Sequence, residues 1–221
     1  MSERHVEVVA DTAHLAGTLT LPERAHGVVA FAHGSGSSRF SPRNRAVAAV
    51  LNGAGFATLL LDLLTSEEER VDAYTAHLRF DVHLLAQRLG AATAWLSDET
   101  VTARLPVGYF GASTGAASAL IAAADHSEVT AVVSRGGRPD LAGPALALVR
   151  APTLLIVGGA DVPVIDLNRL ARARMRPDVE ARLQIVPGAT HLFEEPGALE
   201  MVAGLATDWF RRYTARTEAA A

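Results

Sequence analysis

Apolar and polar residues alternate over His5 to Ala10 and again over Leu15 to Leu21, with the polar stretch Asp11-Thr12-Ala13-His14 between them. A period of two predicts half-buried strands, and the short polar break predicts that they pair antiparallel. Pro22 ends the second strand. From there the pattern changes to continuous apolar runs, which mark strands buried on both faces of a sheet. Gly27 to Ala32, Phe56 to Leu61, the stretch leading from Pro106 into Gly111, Val129 to Val133, Pro152 to Val157 and Leu183 to Val186 are of this kind.

Between these runs the spacing lengthens to three and four. Pro42 suits the first turn of a helix with Val47, Val50 and Leu51 on one face, stopped by Gly53 and Gly55. Leu78, Val82, Leu85, Leu89, Ala92 and Leu96 predict one helix from His77 to Leu96. A helix of small residues should follow Ser113, a short one should span Pro144 to Val149, and Val164 to Met175 should be helical. A closing helix should present Leu199, Val202, Leu205, Trp209 and Tyr213 on one face. The acidic run Glu67-Glu68-Glu69 reads as a solvated helix turn or loop. Strands alternating with helices after an antiparallel pair imply an α/β fold: a mostly parallel sheet with helices on both faces. At 221 residues one domain is expected, with no internal repeat and an Ala-rich tail as the only low-complexity segment.

Composition narrows the chemistry. All 20 positive side chains are arginine, so Schiff-base chemistry and a P-loop lysine are excluded. Cysteine is absent, which excludes a thiolate nucleophile, disulfides and cysteine-ligated metals. A net charge of −4 without a basic stripe argues against nucleic acid or an anionic membrane as partner. Neither a signal-like N-terminus nor a membrane-length apolar run is present, so a cytoplasmic protein is expected. No pair of histidines has the spacing of a zinc site, and neither metal nor cofactor is expected. Oligomeric state stays open between monomer and dimer.

Sites in such sheets gather at the carboxyl ends of the strands. Those ends deliver His33-Gly34-Ser35, then Gly111-Ala112-Ser113-Thr114-Gly115, then Gly158-Gly159-Ala160-Asp161, then Pro187-Gly188-Ala189-Thr190-His191. The second is a G-x-S-x-G elbow, whose sharp strand-to-helix turn needs neighbours without bulk. A serine hydroxyl needs a base to take its proton, and the base needs a carboxylate on its other ring nitrogen. Ser113, His191 and Asp161 fit these roles. Ser113 and Asp161 as simple helix caps, and Asp140 or Asp62 as the acid, are the alternatives. The oxyanion requires backbone N–H donors, assigned to Thr114 and Ser35. His33 should buttress the oxyanion loop.

On H-G-S-G-S-S, G-A-S-T-G, V-G-G-A-D and P-G-A-T-H-L-F, the chain resembles the α/β-hydrolase superfamily, and within it the small hydrolases of the dienelactone-hydrolase type. Leu78-Arg79-Phe80-Asp81 and Ser134-Arg135-Gly136-Gly137-Arg138 are similar to a subgroup that occurs alone or fused to phosphoribosyltransferase domains. The chain departs from that family in carrying Ser113 where dienelactone hydrolases have cysteine, and with Leu63 to Tyr74 and Arg39 to Asn44 as its only long loops near the expected mouth it has little room for a cap domain. That substitution points to hydrolysis of small carboxylic esters or thioesters, with acyl transfer or non-catalytic ligand binding on the same scaffold as alternatives. Leu64 and Arg135 are candidate pocket residues, and Phe193 should either line the pocket or pack under the histidine loop. Arg135 and Arg138 would either grip a substrate anion or pair with loop carboxylates such as Asp140. Arg79 and Asp81 would form an internal pair.

Overall fold

The computed structural model describes residues 1–214; the Ala-rich tail lies outside them. Strands β1 (Ser2–Ala10) and β2 (Ala13–Leu21) form the expected antiparallel pair. β3 (Gly27–Ala32), β4 (Phe56–Leu61), β5 (Val107–Ala112), β6 (Val129–Arg135), β7 (Thr153–Gly158) and β8 (Ala181–Val186) run parallel to one another. The order is β1-β2-β4-β3-β5-β6-β7-β8, with β2 antiparallel to β4. This is the mixed sheet that the alternation of elements predicts, and every residue of β3, β4, β5 and β7 is buried, as their continuous apolar runs require.

Side chains leave successive strand residues on opposite faces, so the sheet separates two apolar layers. One contains Ala30, Leu59, Tyr109 and Val132 from the strands, with Leu85, Leu89 and Leu96 of α3 (Val82–Asp98) and Leu120 of α4 (Thr114–Asp125). α5 (Val162–Arg174) adds Ala171 to it. The other layer contains Phe31, Phe110 and Val133 with Val47 and Leu51 of α1 (Pro42–Gly53) and Val202, Trp209 and Phe210 of α6 (Ala198–Tyr213). α4 is buried from Thr114 to Ala123, and its alanines and glycine let its axis lie close to the sheet.

Three expectations change. Val50 is exposed and leaves the buried face of α1 to Val47, Ala48 and Leu51. The helix expected from His77 is two elements, a 3₁₀ turn at Leu78–Phe80 and α3 from Val82, because the Asp81 carboxylate caps α3 by accepting from Leu84 N at 3.0 Å. Two 3₁₀ turns separated by a kink at Gly143 (φ 53°, ψ −124°) span Pro139–Ala147 in place of the short helix expected from Pro144 to Val149. The acidic run opens α2 (Ser66–Thr75), where Thr65 and Glu68 form a capping box. Glu68 also pairs with the buried Arg88, which donates to Leu63 O at 2.7 Å and so ties α2 to the end of β4. No helix among the described residues is long and apolar enough to cross a membrane.

Candidate active site

Ser113 stands between β5 and α4 with φ 52° and ψ −122°, a conformation that L-residues avoid and that is held only where the surroundings determine it. Three backbone bonds fix it: Ser113 N donates to Arg135 O at 3.2 Å, and Arg138 N and Ala116 N donate to Ser113 O at 3.0 and 3.1 Å. The turn also needs close packing. A Cβ on Gly115 would lie 2.7 Å from the carbonyl carbon of Ala32 and closer still to the Ala32 and His33 oxygens, so only glycine lets α4 start against the end of β3. Although Ser113 sits at the cap position of α4, its hydroxyl makes no capping bond.

β7 and β8 pair in register up to Gly158 and Val186, so the loops that leave them are neighbours. Gly159 N donates to Val186 O at 2.8 Å and Ala160 N to Ala189 O at 2.9 Å. That juxtaposition places His191 Nδ1 2.6 Å from Asp161 Oδ2. A carboxylate only accepts, so Nδ1 carries the proton and Nε2 keeps its lone pair. Asp161 heads α5 but makes no capping bond, its side chain being turned to the histidine. The alternative acids are engaged elsewhere: Asp62 pairs with Arg39 and accepts from its backbone N at 2.6 Å, and Asp140 is bound by Arg138 at 2.8 and 2.9 Å.

The histidine loop closes over Gly136. With φ 51° this residue occupies the left-handed region, and a Cβ there would stand 3.0 Å from His191 O and 3.5 Å from His191 Cε1. Arg135 to Arg138 is therefore bonded to Ser113 and passes close beside His191. Here lies the role of the adjacent glycines in Ser134-Arg135-Gly136-Gly137-Arg138, which sequence reasoning did not separate from the arginines. Asn168 was also missed: fully buried on α5, it donates to Gly137 O at 3.0 Å. Glu195 accepts from Thr190 N at 3.0 Å and holds the histidine loop from the far side. Neither had a signal in the sequence, since each stands among other polar residues.

Across the elbow, the Gly34 backbone lies against Ser113, where an added Cβ would be 3.0 Å from the serine Cβ. His33 ties this loop to the end of β4. Leu63 N donates to His33 Nε2 at 3.1 Å, so Nδ1 carries the proton and donates to Gly34 O at 3.0 Å. Burial holds the imidazole below its ordinary pKa, consistent with this neutral tautomer. Ser35 N donates to Thr114 Oγ1 at 2.9 Å.

Beyond the loop opens a cavity of about 670 Å³, lined among others by Ser35, Phe40, Arg43, Leu64, Glu69 and Arg79. Arg79 is held by Asp72 rather than by Asp81: its Nε donates to Asp72 Oδ2 at 2.5 Å and Nη2 to Asp72 O at 2.6 Å, because Asp81 is committed to capping α3. The other two proposed pocket residues do not line this cavity. Phe193 is 1% exposed and packs in the layer of α1 and α6, since its φ of 56° turns the chain inward after His191. Arg135 is 8% exposed and extends under the elbow toward α1, where Nη2 meets Asn44 Oδ1 at 3.4 Å. Among the described residues no cluster of His, Asp or Glu is arranged to hold a metal ion.

The sequence profile of the dienelactone hydrolase family matches residues 15–216. A Mycobacterium tuberculosis protein, provisionally named a phosphoribosyl transferase, is 61% identical over 211 residues, 95% of this chain and 46% of that protein. The chain thus spans about half the length of the curated relatives it matches. A crystal structure of dienelactone hydrolase from Anabaena variabilis superposes with a TM-score of 0.94 at 59% identity, over 96% of this chain and 98% of that one. Est1E from Butyrivibrio proteoclasticus, whose structure has also been determined with ferulic acid bound, shares the fold at a TM-score of 0.76, with 15% identity over 94% of this chain and 98% of its own. On the family match and the Anabaena relative together, the chain belongs to the dienelactone hydrolase family, on the α/β-hydrolase fold, with serine at its elbow and no cysteine anywhere in its sequence.

Proposed function

We propose that the protein is a serine hydrolase that cleaves small carboxylic esters or thioesters through an acyl-enzyme. The observation that carries this reading is the hydrogen bond from His191 Nδ1 to Asp161 Oδ2, 2.6 Å long, at the same sheet edge as the strained Ser113. Asp161 is 14% exposed at its side chain against 38% for His191, which suits a carboxylate that orients and an imidazole that meets the substrate.

In the proposed reaction His191 Nε2 removes the Ser113 proton as Oγ attacks the carbonyl carbon. The C=O electron pair moves to oxygen, and the resulting oxyanion is stabilised by the Thr114 N–H, with the Ser35 N–H close by on Thr114 Oγ1. Collapse expels the alcohol or thiol, which takes the proton from His191 and leaves Ser113 acylated. Water, deprotonated by the same nitrogen, attacks the acyl carbon; the bond to Ser113 Oγ breaks, the carboxylic acid leaves, and Oγ takes the proton back from His191. Asp161 fixes the tautomer and stabilises the imidazolium throughout.

Ser113→Ala tests this. The variant should fold as the parent does, yet lose both p-nitrophenyl butyrate turnover and labelling by a fluorophosphonate. Full turnover in Ser113→Ala would sink the proposal. Product analysis with an added alcohol or amine acceptor separates hydrolysis from acyl transfer on the same residues.

A further inference from the structure

Taking Ser113 as the nucleophile, the hydrogen bonds around Thr114 specify how the oxyanion is held. Thr114 is the first residue of α4, and amides in the first turn of a helix have no intrahelical acceptor. Among the described residues its N–H has no acceptor, which leaves it a donor beside Ser113. Its hydroxyl has a less usual position, because it accepts the Ser35 N–H at 2.9 Å.

The direction of that N–H is fixed from behind. In a trans peptide the C=O of one residue and the N–H of the next point opposite ways, and the described chain has no cis bond. The Gly34 carbonyl accepts from His33 Nδ1 at 3.0 Å and from Ser37 N at 3.1 Å. Held on its carbonyl side by two donors, the Gly34–Ser35 peptide presents its N–H to Thr114 Oγ1. Two consequences follow. In the resting state the Ser35 N–H already has an acceptor, and a hydroxyl that has accepted one hydrogen bond still has its own proton to give. Among the described residues no acceptor takes that proton, although Thr114 is only 6% exposed.

We propose that the Thr114 hydroxyl is itself a donor to the oxyanion, and that Ser35 acts through it. The oxyanion would receive two bonds from one residue, Thr114 N–H and Thr114 O–H, while the Ser35 N–H stands one bond further back and polarises the hydroxyl. Chains of this kind strengthen each member, since a hydroxyl that accepts becomes a better donor. No proton changes owner; the charge on the oxyanion is spread along N–H, O–H and O⁻. Thr114 is then a catalytic residue through its side chain as well as its backbone, and Ser35 and His33 are positioning residues.

The test compares Thr114→Val, which keeps the shape and removes the hydroxyl, with Thr114→Ser, which keeps the hydroxyl. Turnover of p-nitrophenyl butyrate and inhibition by a trifluoromethyl ketone, whose adduct with the serine is an oxyanion, are measured on both. Thr114→Ser should stay within about threefold of the parent. Thr114→Val should lose about 10²–10³ in kcat, with KM nearly unchanged and the ketone weakened by a matching factor. Parent-like kcat in Thr114→Val overturns the proposal. So does a rise in KM as large as the fall in kcat with the ketone unaffected, which is what a mere clamp on the loop would give. Parent protein that neither turns over the ester nor reacts with a fluorophosphonate overturns the hydrolase reading first, and this inference with it.

Discussion

Adding one methyl group at each of two glycines should move stability in opposite directions. At Gly115 the new Cβ would sit 2.7 Å from the Ala32 carbonyl carbon, with both nearby carbonyl oxygens nearer still. Carbon atoms approach comfortably at about 3.5–4.0 Å, so the overlap is close to 1 Å. The atoms it meets are backbone at the end of a fully buried strand and cannot swing away. Overpacking of this kind costs about 1–3 kcal/mol, or roughly 2–12 °C in Tm for a chain of this size. Gly204 lies inside α6, is exposed, and has no atom within 4 Å of the position an added methyl would take. Gly204→Ala should gain about 0.5–1 kcal/mol from helix propensity alone. Urea denaturation and thermal melts of both variants give the two signs. Gly115→Ala should also slow fluorophosphonate labelling at least tenfold, since it pushes the elbow away from the oxyanion loop. If Gly115→Ala matched the parent in melt and labelling, the claim that close approach of α4 to β3 requires glycine would be wrong.

His33 is held neutral by burial, with its folded pKa below the unfolded value of about 6.5. Above that value it adds no pH dependence; as the pH falls below it, the unfolded chain binds a proton the folded one refuses, and stability drops by up to about 1.4 kcal/mol per pH unit. Melts between pH 7.5 and 5 should therefore fall more steeply for the parent than for His33→Asn, and equal slopes would show that His33 is not held neutral. Arg135 has neither a carboxylate partner nor an acceptor for Nε and Nη1 among the described residues, and burial, with Arg43 nearby, pushes its pKa down to about 10. Even buried ions that have partners can be replaced by hydrophobic groups of similar volume with a change from neutral to about 1–4 kcal/mol of stabilisation, so Arg135→Met should keep or raise Tm. A lower Tm would mean that its bond to Asn44 outweighs its desolvation.

The elements that position the site were legible because their causes are local. A strand buried on both faces must be apolar at every position, and β3 and β4 occur at the residues their apolar runs marked. The expected helix at His77 failed for an equally local reason, since the Asp81 carboxylate offers Leu84 N a cap and starts α3 afresh. Val50 misled because three helical positions on one face do not fix where that face ends. Asp72 and Arg79 could not have been paired in advance, because seven residues and a helix end separate them and only the fold of α2 onto the 3₁₀ turn brings them together.

By itself the sequence determined which residue types stand at the carboxyl end of each strand, because hydrophobic period, proline and glycine act within a few residues of where they occur. It also determined that neither a cysteine nor a lysine can serve as nucleophile, since the chain contains none. Tertiary structure decided the partnerships. Asp161 rather than Asp62 or Asp140 meets His191, since β7 and β8 are neighbours in the sheet and the other two carboxylates have arginines of their own. Phe193 turned into the core, Arg135 passed beneath the elbow, and the Ser35 N–H met the Thr114 hydroxyl. Each of these is a choice among chemically equivalent partners, and distance in space, set by strand order and backbone direction, is what selects between them.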